Sequence, residues 1–168
     1  MFKPITKVHV NNGTCEEGKA LIDLETINSV SQQPNHYSNK LFDENGKLVS
    51  QDLDEPHFEI LTNEGLSFIV KRDQYDNLKK DLVEFIEINK VNSHDEEGVA
   101  LVIPSGIKSI VEQIKVQEKD ENDELKVDEN GNPIYKPTQF AILRREGKTF
   151  FVYEKEYERL VKVLTTTK

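Results

Sequence analysis

Six residues recur almost unchanged eighty positions apart: EEGKAL at Glu16–Leu21 returns as EEGVAL at Glu96–Leu101. At the same offset Ile27 meets Ile107, Ser29 meets Ser109 and Val30 meets Ile110. A longer block, HFEILTNEGLSFIVKRDQYDNLKKDL from His57, returns from Gln139 as QFAILRREGKTFFVYEKEYERLVKVL. There Phe58 meets Phe140, Gly65 meets Gly147, Tyr75 meets Tyr157 and Leu82 meets Leu164. Three blocks kept in order at nearly constant spacing read as a tandem duplication. No other feature constrains the fold as much, because whatever one segment forms the other must form too. The segments are residues 1–84 and 85–168. A unit of that size buries a small core. The two are therefore expected to pack as one compact unit, helices or sheets facing each other across a pseudo-twofold axis; the alternative is two small domains side by side.

Each segment reads as β-rich. ITKVHV and FIEINKV alternate as strands, the EEG triplets read as turns, and KALIDL and VALVI follow as short apolar strands. INSVSQ and IKSIVEQIKVQ continue extended. FEILTNEGLSFIV and FAILRREGKTFFV each read as two strands about a tight turn, with Gly65 and Gly147 free to take positive φ. Tyr157, Leu160, Val161 and Leu164 recur at i, i+3, i+4, i+7, and Tyr75, Leu78 and Leu82 give the same stripe. The expected class is α+β: several antiparallel strands per segment, closed by one short helix near 73–83 and another near 154–165.

The tetrapeptide DENG occurs at Asp43–Gly46 and Asp128–Gly131. A calcium loop would need Asp at its first position and Glu at its twelfth. Aligned on Asp128, those positions hold Lys126 and Pro137; in the first copy they hold Leu41 and Asp52. The first ligand is missing in both, so no metal site is expected. Asn-Gly between alternating apolar runs predicts a hairpin tip instead. The hydrophilic run EKDENDEL before the second tip reads as a solvated loop.

Charge narrows the function classes. The net charge is −9, from 14 acidic and 9 basic side chains in residues 1–83 and 17 and 13 in residues 84–168. Neither half offers the basic face that nucleic-acid binding requires, so no nucleic-acid partner is expected. No apolar run approaches the length that spans a bilayer as a helix, and the N-terminus lacks a signal-peptide pattern. A cytoplasmic or virion location is expected, with no membrane partner. The single cysteine, Cys15, permits no intrachain disulfide. Its neighbours Glu16 and Glu17 disfavour a thiolate, so it reads as passive.

Catalytic chemistry finds no constellation. His9, His36, His57 and His94 show no ligand spacing, and their counterparts in the other segment are not histidine; surface or edge positions are expected for them. A serine in IPSGI, Ser105, reads as a turn residue with no base nearby in sequence. Neither a cofactor nor an enzymatic activity is expected. The one basic cluster is Arg144, Arg145 and Lys148 around the second hairpin turn, a candidate for binding an anion. Its counterparts Thr62, Asn63 and Leu66 are uncharged, so the feature is not duplicated.

Ile107 and Ile110, followed by FAILRREGKTFFVYEKEYERLVKVL, form an IxxI strand, a Gly-containing hairpin and a helix opening near Glu and Tyr. This pattern, carried more loosely by FEILTNEGLSFIVKRDQYDNLKKDL, resembles the small FlbD-type proteins and related short phage and bacterial proteins. It covers about half of each segment, and the DENG hairpin departs from it. The resemblance implies a small non-catalytic β-rich interaction module and carries no functional residues across. The expected function is an assembly or structural role through protein–protein contacts, in a phage-type particle or another large complex, with homo-oligomers among the partners. The alternatives are capture of a small anionic, nucleotide-like ligand, or inhibition of a host enzyme through the acidic surface.

Overall fold

The computed structural model describes residues 1–11, 14–34, 40–42, 44–45, 48–50 and 56–166. Ten strands form one antiparallel sheet. Residues 1–84 contribute β1 (Phe2–Asn11), β2 (Thr14–Asp23), β3 (Ile27–Gln32), β6 (His57–Thr62), β7 (Ser67–Lys71) and helix α1 (Arg72–Asp81). A separate hairpin, β4 (Lys40–Phe42) with β5 (Leu48–Ser50), lies between β3 and β6 in sequence. Residues 85–168 contribute β8 (Ile86–Val91), β9 (Glu97–Val102), β10 (Ile107–Glu112), β11 (Gln139–Arg144), β12 (Phe150–Tyr153) and helix α2 (Glu154–Thr166). The strand order is β10-β11-β12-β8-β9-β3-β6-β7-β1-β2.

Local devices recur along the chain. A register shift interrupts β3·β6 between Ile27 and Ser29, and another interrupts β10·β11 between Ile107 and Ser109. One-turn 3-10 helices at Leu24–Thr26 and Pro104–Gly106 lead into β3 and β10. Gly65 and Gly147 sit at φ +84° and +90°, the left-handed conformation that only glycine adopts cheaply. Each helix carries a tyrosine onto a strand phenylalanine: Tyr75 stacks on Phe58 at 4.2 Å and Tyr157 on Phe140 at 4.0 Å. Thr6 N–H donates to Gln74 Oε1 (3.0 Å), and Asn89 N–H donates to Glu156 Oε1 (3.2 Å).

The EEG triplets are not turns. Glu16, Glu17 and Gly18 lie within β2, opposite His9, Val8 and Lys7. Glu97 and Gly98 open β9, and the turn precedes them. There Asn92 Oδ1 accepts from the backbone N–H of His94 (2.9 Å) and Glu96 (3.0 Å). The asparagine in VNSHD, not the glycine after it, supplies the turn chemistry.

Facing helices or facing sheets across a pseudo-twofold axis are not what joins the segments. The joint is an edge-to-edge ladder: Ser29 opposite Val102, Val30 opposite Leu101 and Ser31 opposite Ala100. Two cores lie on opposite faces of the sheet. One holds Ile22, Val30, Phe58, Ile60, Tyr75, Leu78 and also Leu101; the other holds Ile88, Ala100, Val102, Ile142, Val152 and Leu160. Successive side chains of a strand point to opposite faces, so Leu101 enters the first core while its neighbours Ala100 and Val102 enter the second. Helix α1 covers one face through Leu78, and α2 covers the other through Leu160.

Candidate functional site

The basic cluster is divided by the fold. Arg144 Nη2 donates to the backbone carbonyl of Asn28 at 2.7 Å, and its guanidinium lies over the Phe150 ring. Lys148 pairs with Glu59. In a flat sheet, β11 and β3 would stand four strand spacings apart, roughly 19 Å. Arg144 cannot span that, so the sheet curls until the β11–β12 turn meets β3. Burial pushes the Arg144 guanidinium down from its ordinary value. Its Nε and Nη1, and Asn28 Oδ1, have no hydrogen-bond partner among the described residues. Arg145 is exposed, and its backbone N–H donates to the carbonyl of Gly106. Arg144 and Lys148 thus tie the second segment to the first, and Arg145 faces solvent.

The histidines are dispersed. His9 is exposed and lies 3.1 Å from Glu16, and His94 is exposed in the β8–β9 turn. His57, expected at the surface, is buried in β6. His36 lies outside the described residues, as do the Cys15 side chain and Asp43 and Gly46 of the first DENG. Among the described residues no group of three or more His, Cys, Asp or Glu is placed to hold a metal ion. Among the described residues no helix is long and apolar enough to cross a membrane.

A groove of about 750 Å³ runs beside α2, lined among others by Asn89, Gly98, Tyr153, Glu156, Arg159 and Lys162. Asn89, Glu156 and Arg159 in it are paired with one another. Glu156 Oε2 accepts from Asn89 Nδ2 (3.2 Å) and from Arg159 Nε (3.0 Å), and Arg159 Nη2 also donates to the carbonyl of Glu87 (2.7 Å). Burial pushes the Glu156 carboxyl up, but hydrogen bonds from Arg159 and Asn89 outweigh it and hold the group below its ordinary value. Glu87 is held down in the same way: burial raises it, and Tyr75 Oη (2.6 Å) and Lys79 lower it further. These carboxylates brace helices against strands.

The excursion between β10 and β11 has a structure that the sequence reading missed. Gln113 N–H donates to the carbonyl of Gln139 at 2.8 Å, so its two ends meet. Inside it, backbone bonds close a ring: Glu118 N–H to Ile134 O (2.8 Å), Ile134 N–H to Lys126 O (3.1 Å) and Lys126 N–H to Glu118 O (2.8 Å). The three residues are eight positions apart. Asp120 and Asp128, also eight apart, each accept on Oδ1 from the backbone N–H groups two and four residues on, at 2.8 to 3.0 Å. Those bonds hold the Asp128 carboxyl below its ordinary value. Asp123 and Gly131 take the matching positive φ. The second DENG is therefore a turn tip, as expected, and the run before it, solvated as expected, is shaped as a second such turn. The signal was DEND at Asp120–Asp123, eight residues ahead of DENG.

This excursion displays apolar side chains to solvent. Ile114 is 89 % exposed, and Val116, Leu125, Val127 and Tyr135 are also exposed. Lys136 pairs with Asp95 at 3.1 Å and ties its base to the β8–β9 turn. Both edges of the ten-stranded sheet are open as well. Among the described residues β2 pairs only with β1, and β10 only with β11. Comparisons with family models, curated proteins and solved structures give no match.

Proposed function

We propose that the chain is a tandem duplication acting as a non-enzymatic assembly protein, through protein–protein contacts in a phage-type particle or another large complex. The observation that carries the reading is the Gln113–Thr138 excursion. It spends its backbone hydrogen bonds on holding its own shape, and it presents Ile114, Leu125 and Val127 outward from the end of the sheet. Apolar side chains grouped on a projecting, internally braced element suit a docking surface. The duplication is supported by the paired register shifts, the matching left-handed glycines, the two tyrosine–phenylalanine stacks and the repeated Gln74 and Glu156 contacts.

The test is native mass spectrometry of the protein taken from its own cells, compared with a variant in which residues 114–138 are replaced by an Asn-Gly turn. The wild type is expected in a stoichiometric complex with other proteins, and the variant is expected free. A wild type found as a free monomer carrying a small molecule would overturn the assembly reading.

A further inference from the structure

We infer that the chain pairs head to tail with further copies of itself, the β2 edge of one copy adding to the β10 edge of the next. The inference rests on the duplication and deepens the assembly reading by naming one partner, a second copy of this chain. Its template is the joint inside the molecule. β9 meets β3 there, and at the offset of eighty the counterparts of β9 and β3 are β2 and β10. Those are the two edges of the ten-stranded sheet, both left open among the described residues. One chain therefore holds both halves of a contact it already makes once.

The transferred register sets Ser109 opposite Ile22, Ile110 opposite Leu21, and Val111 opposite Ala20 of the neighbouring copy. The side chains at these positions are suited to that contact. At the internal joint Leu101 is 1 % exposed, inserted beside Val30. Its counterpart Leu21 is 66 % exposed and lacks such cover. In the paired state Leu21 enters the neighbour's second core beside Ile110, as Leu101 enters the first beside Val30. Val111, 45 % exposed, occupies the place of Ser31, which the internal joint buries.

The turn that crosses the joint changes in step. Lys148 reaches Glu59 across the internal joint. Their counterparts are Leu66, 60 % exposed, and Ala141. An ion pair is thereby replaced on both sides by apolar residues. The arrangement is heterologous, joining unlike edges, so it propagates into a ring or a filament. The excursion is anchored at the β8–β9 turn through Lys136 and Asp95, away from the β10 edge.

The test uses two single substitutions. Leu21→Lys places a charge where the neighbour's core would receive an apolar side chain, and Val111→Lys does so on the other edge. An edge-to-edge contact of this kind belongs to the weaker class of interfaces, so light scattering and sedimentation would be read up to about 1 mM protein. The wild type is expected to form concentration-dependent oligomers. Each variant alone is expected to stay monomeric, its association weakened by at least about tenfold. Mixed one to one they should form a dimer and nothing larger, because each keeps one intact edge. A variant that dimerises alone would mean that like edges pair, and would overturn the proposal. Hydrogen exchange on the wild type needs no variant: amides of residues 15–22 and 107–112 should gain protection with concentration, and an unchanged pattern would overturn the proposal. A wild type that stays monomeric when pure yet sits in a stoichiometric complex with a different protein overturns self-pairing and leaves the assembly reading standing.

Discussion

Gly65 and Gly147 offer a matched experiment on what the crossing turn contributes. Both sit in the left-handed region, so alanine at either position carries a backbone cost of about 1–2 kcal/mol. They differ in what the added methyl meets. At Gly65 it meets open space, with no atom within 4 Å. At Gly147 it falls inside van der Waals range of Asn28 Oδ1 and 3.0 Å from Arg144 Nη1. Asn28 is buried, and it donates to Asn63 Oδ1 at 3.2 Å and to the carbonyl of Glu146 at 3.5 Å. Making room for the methyl means moving Asn28 off those acceptors and shifting Arg144 from the Asn28 carbonyl. Leaving such groups unpaired in a buried site costs about 1–3 kcal/mol. Gly147→Ala is therefore expected to destabilise the protein by about 1–3 kcal/mol more than Gly65→Ala. Urea unfolding followed by circular dichroism would show this as a midpoint lower by about 0.5–1.5 M, taking a slope near 2 kcal/mol/M. Equal midpoints would refute the reasoning, since the contact between the β11–β12 turn and β3 would then contribute nothing.

Leu101→Ala should cost about 2–5 kcal/mol in the same assay, while Leu21→Ala, in nearly the same local sequence, should change stability by no more than about 0.5 kcal/mol; similar losses would mean that the buried joint is not what sets the value. Glu156→Gln retains an oxygen for the Asn89 N–H, as Gln74 does for Thr6, but loses the charge facing Arg159. A carboxyl whose folded value lies below its unfolded value adds stability above the unfolded value and loses it as the pH falls through the folded one. The gap between wild type and Glu156→Gln should be about 1–3 kcal/mol near neutral pH and close in acid; a gap independent of pH would exclude a charge effect. Replacing residues 114–138 by Asn-Gly should leave the melting temperature within about 4 °C, because Gln113 and Gln139 already meet; loss of cooperative melting would show that the excursion is part of the core.

Most of the strands and both helices could be read from the sequence, because burial on one face writes itself into spacing. INSVSQ is β3 to the residue, and the stripe from Tyr157 to Leu164 lies within α2. The joint could not be read that way. Leu21 and Leu101 stand in almost the same hexapeptide, and one is exposed while the other is buried, because burial there depends on which strand arrives alongside. The EEG triplets misled because glycine suits a turn by its own conformational freedom, whereas here the asparagine at position 92 supplies the hydrogen bonds. Arg144 looked free because its acceptor, the carbonyl of Asn28, is 116 residues away and belongs to the backbone, which carries no sequence signature. The eight-residue period in the excursion was legible in DEND and DENG, but it is a tenth of the eighty-residue offset that dominates the sequence.

Each segment gives the sheet five strands, and five is odd. In an antiparallel sheet direction alternates from strand to strand, so an odd unit added edge to edge arrives inverted, its first strand running against the first strand of the unit before it. Inversion turns the unit over as well, which is why one helix lies above the sheet and the other below. An even unit joined the same way would have stacked both helices on one side and left the other face bare along its whole width. Parity thus lets two short helices share the protection of ten strands, and two such units together restore the starting direction.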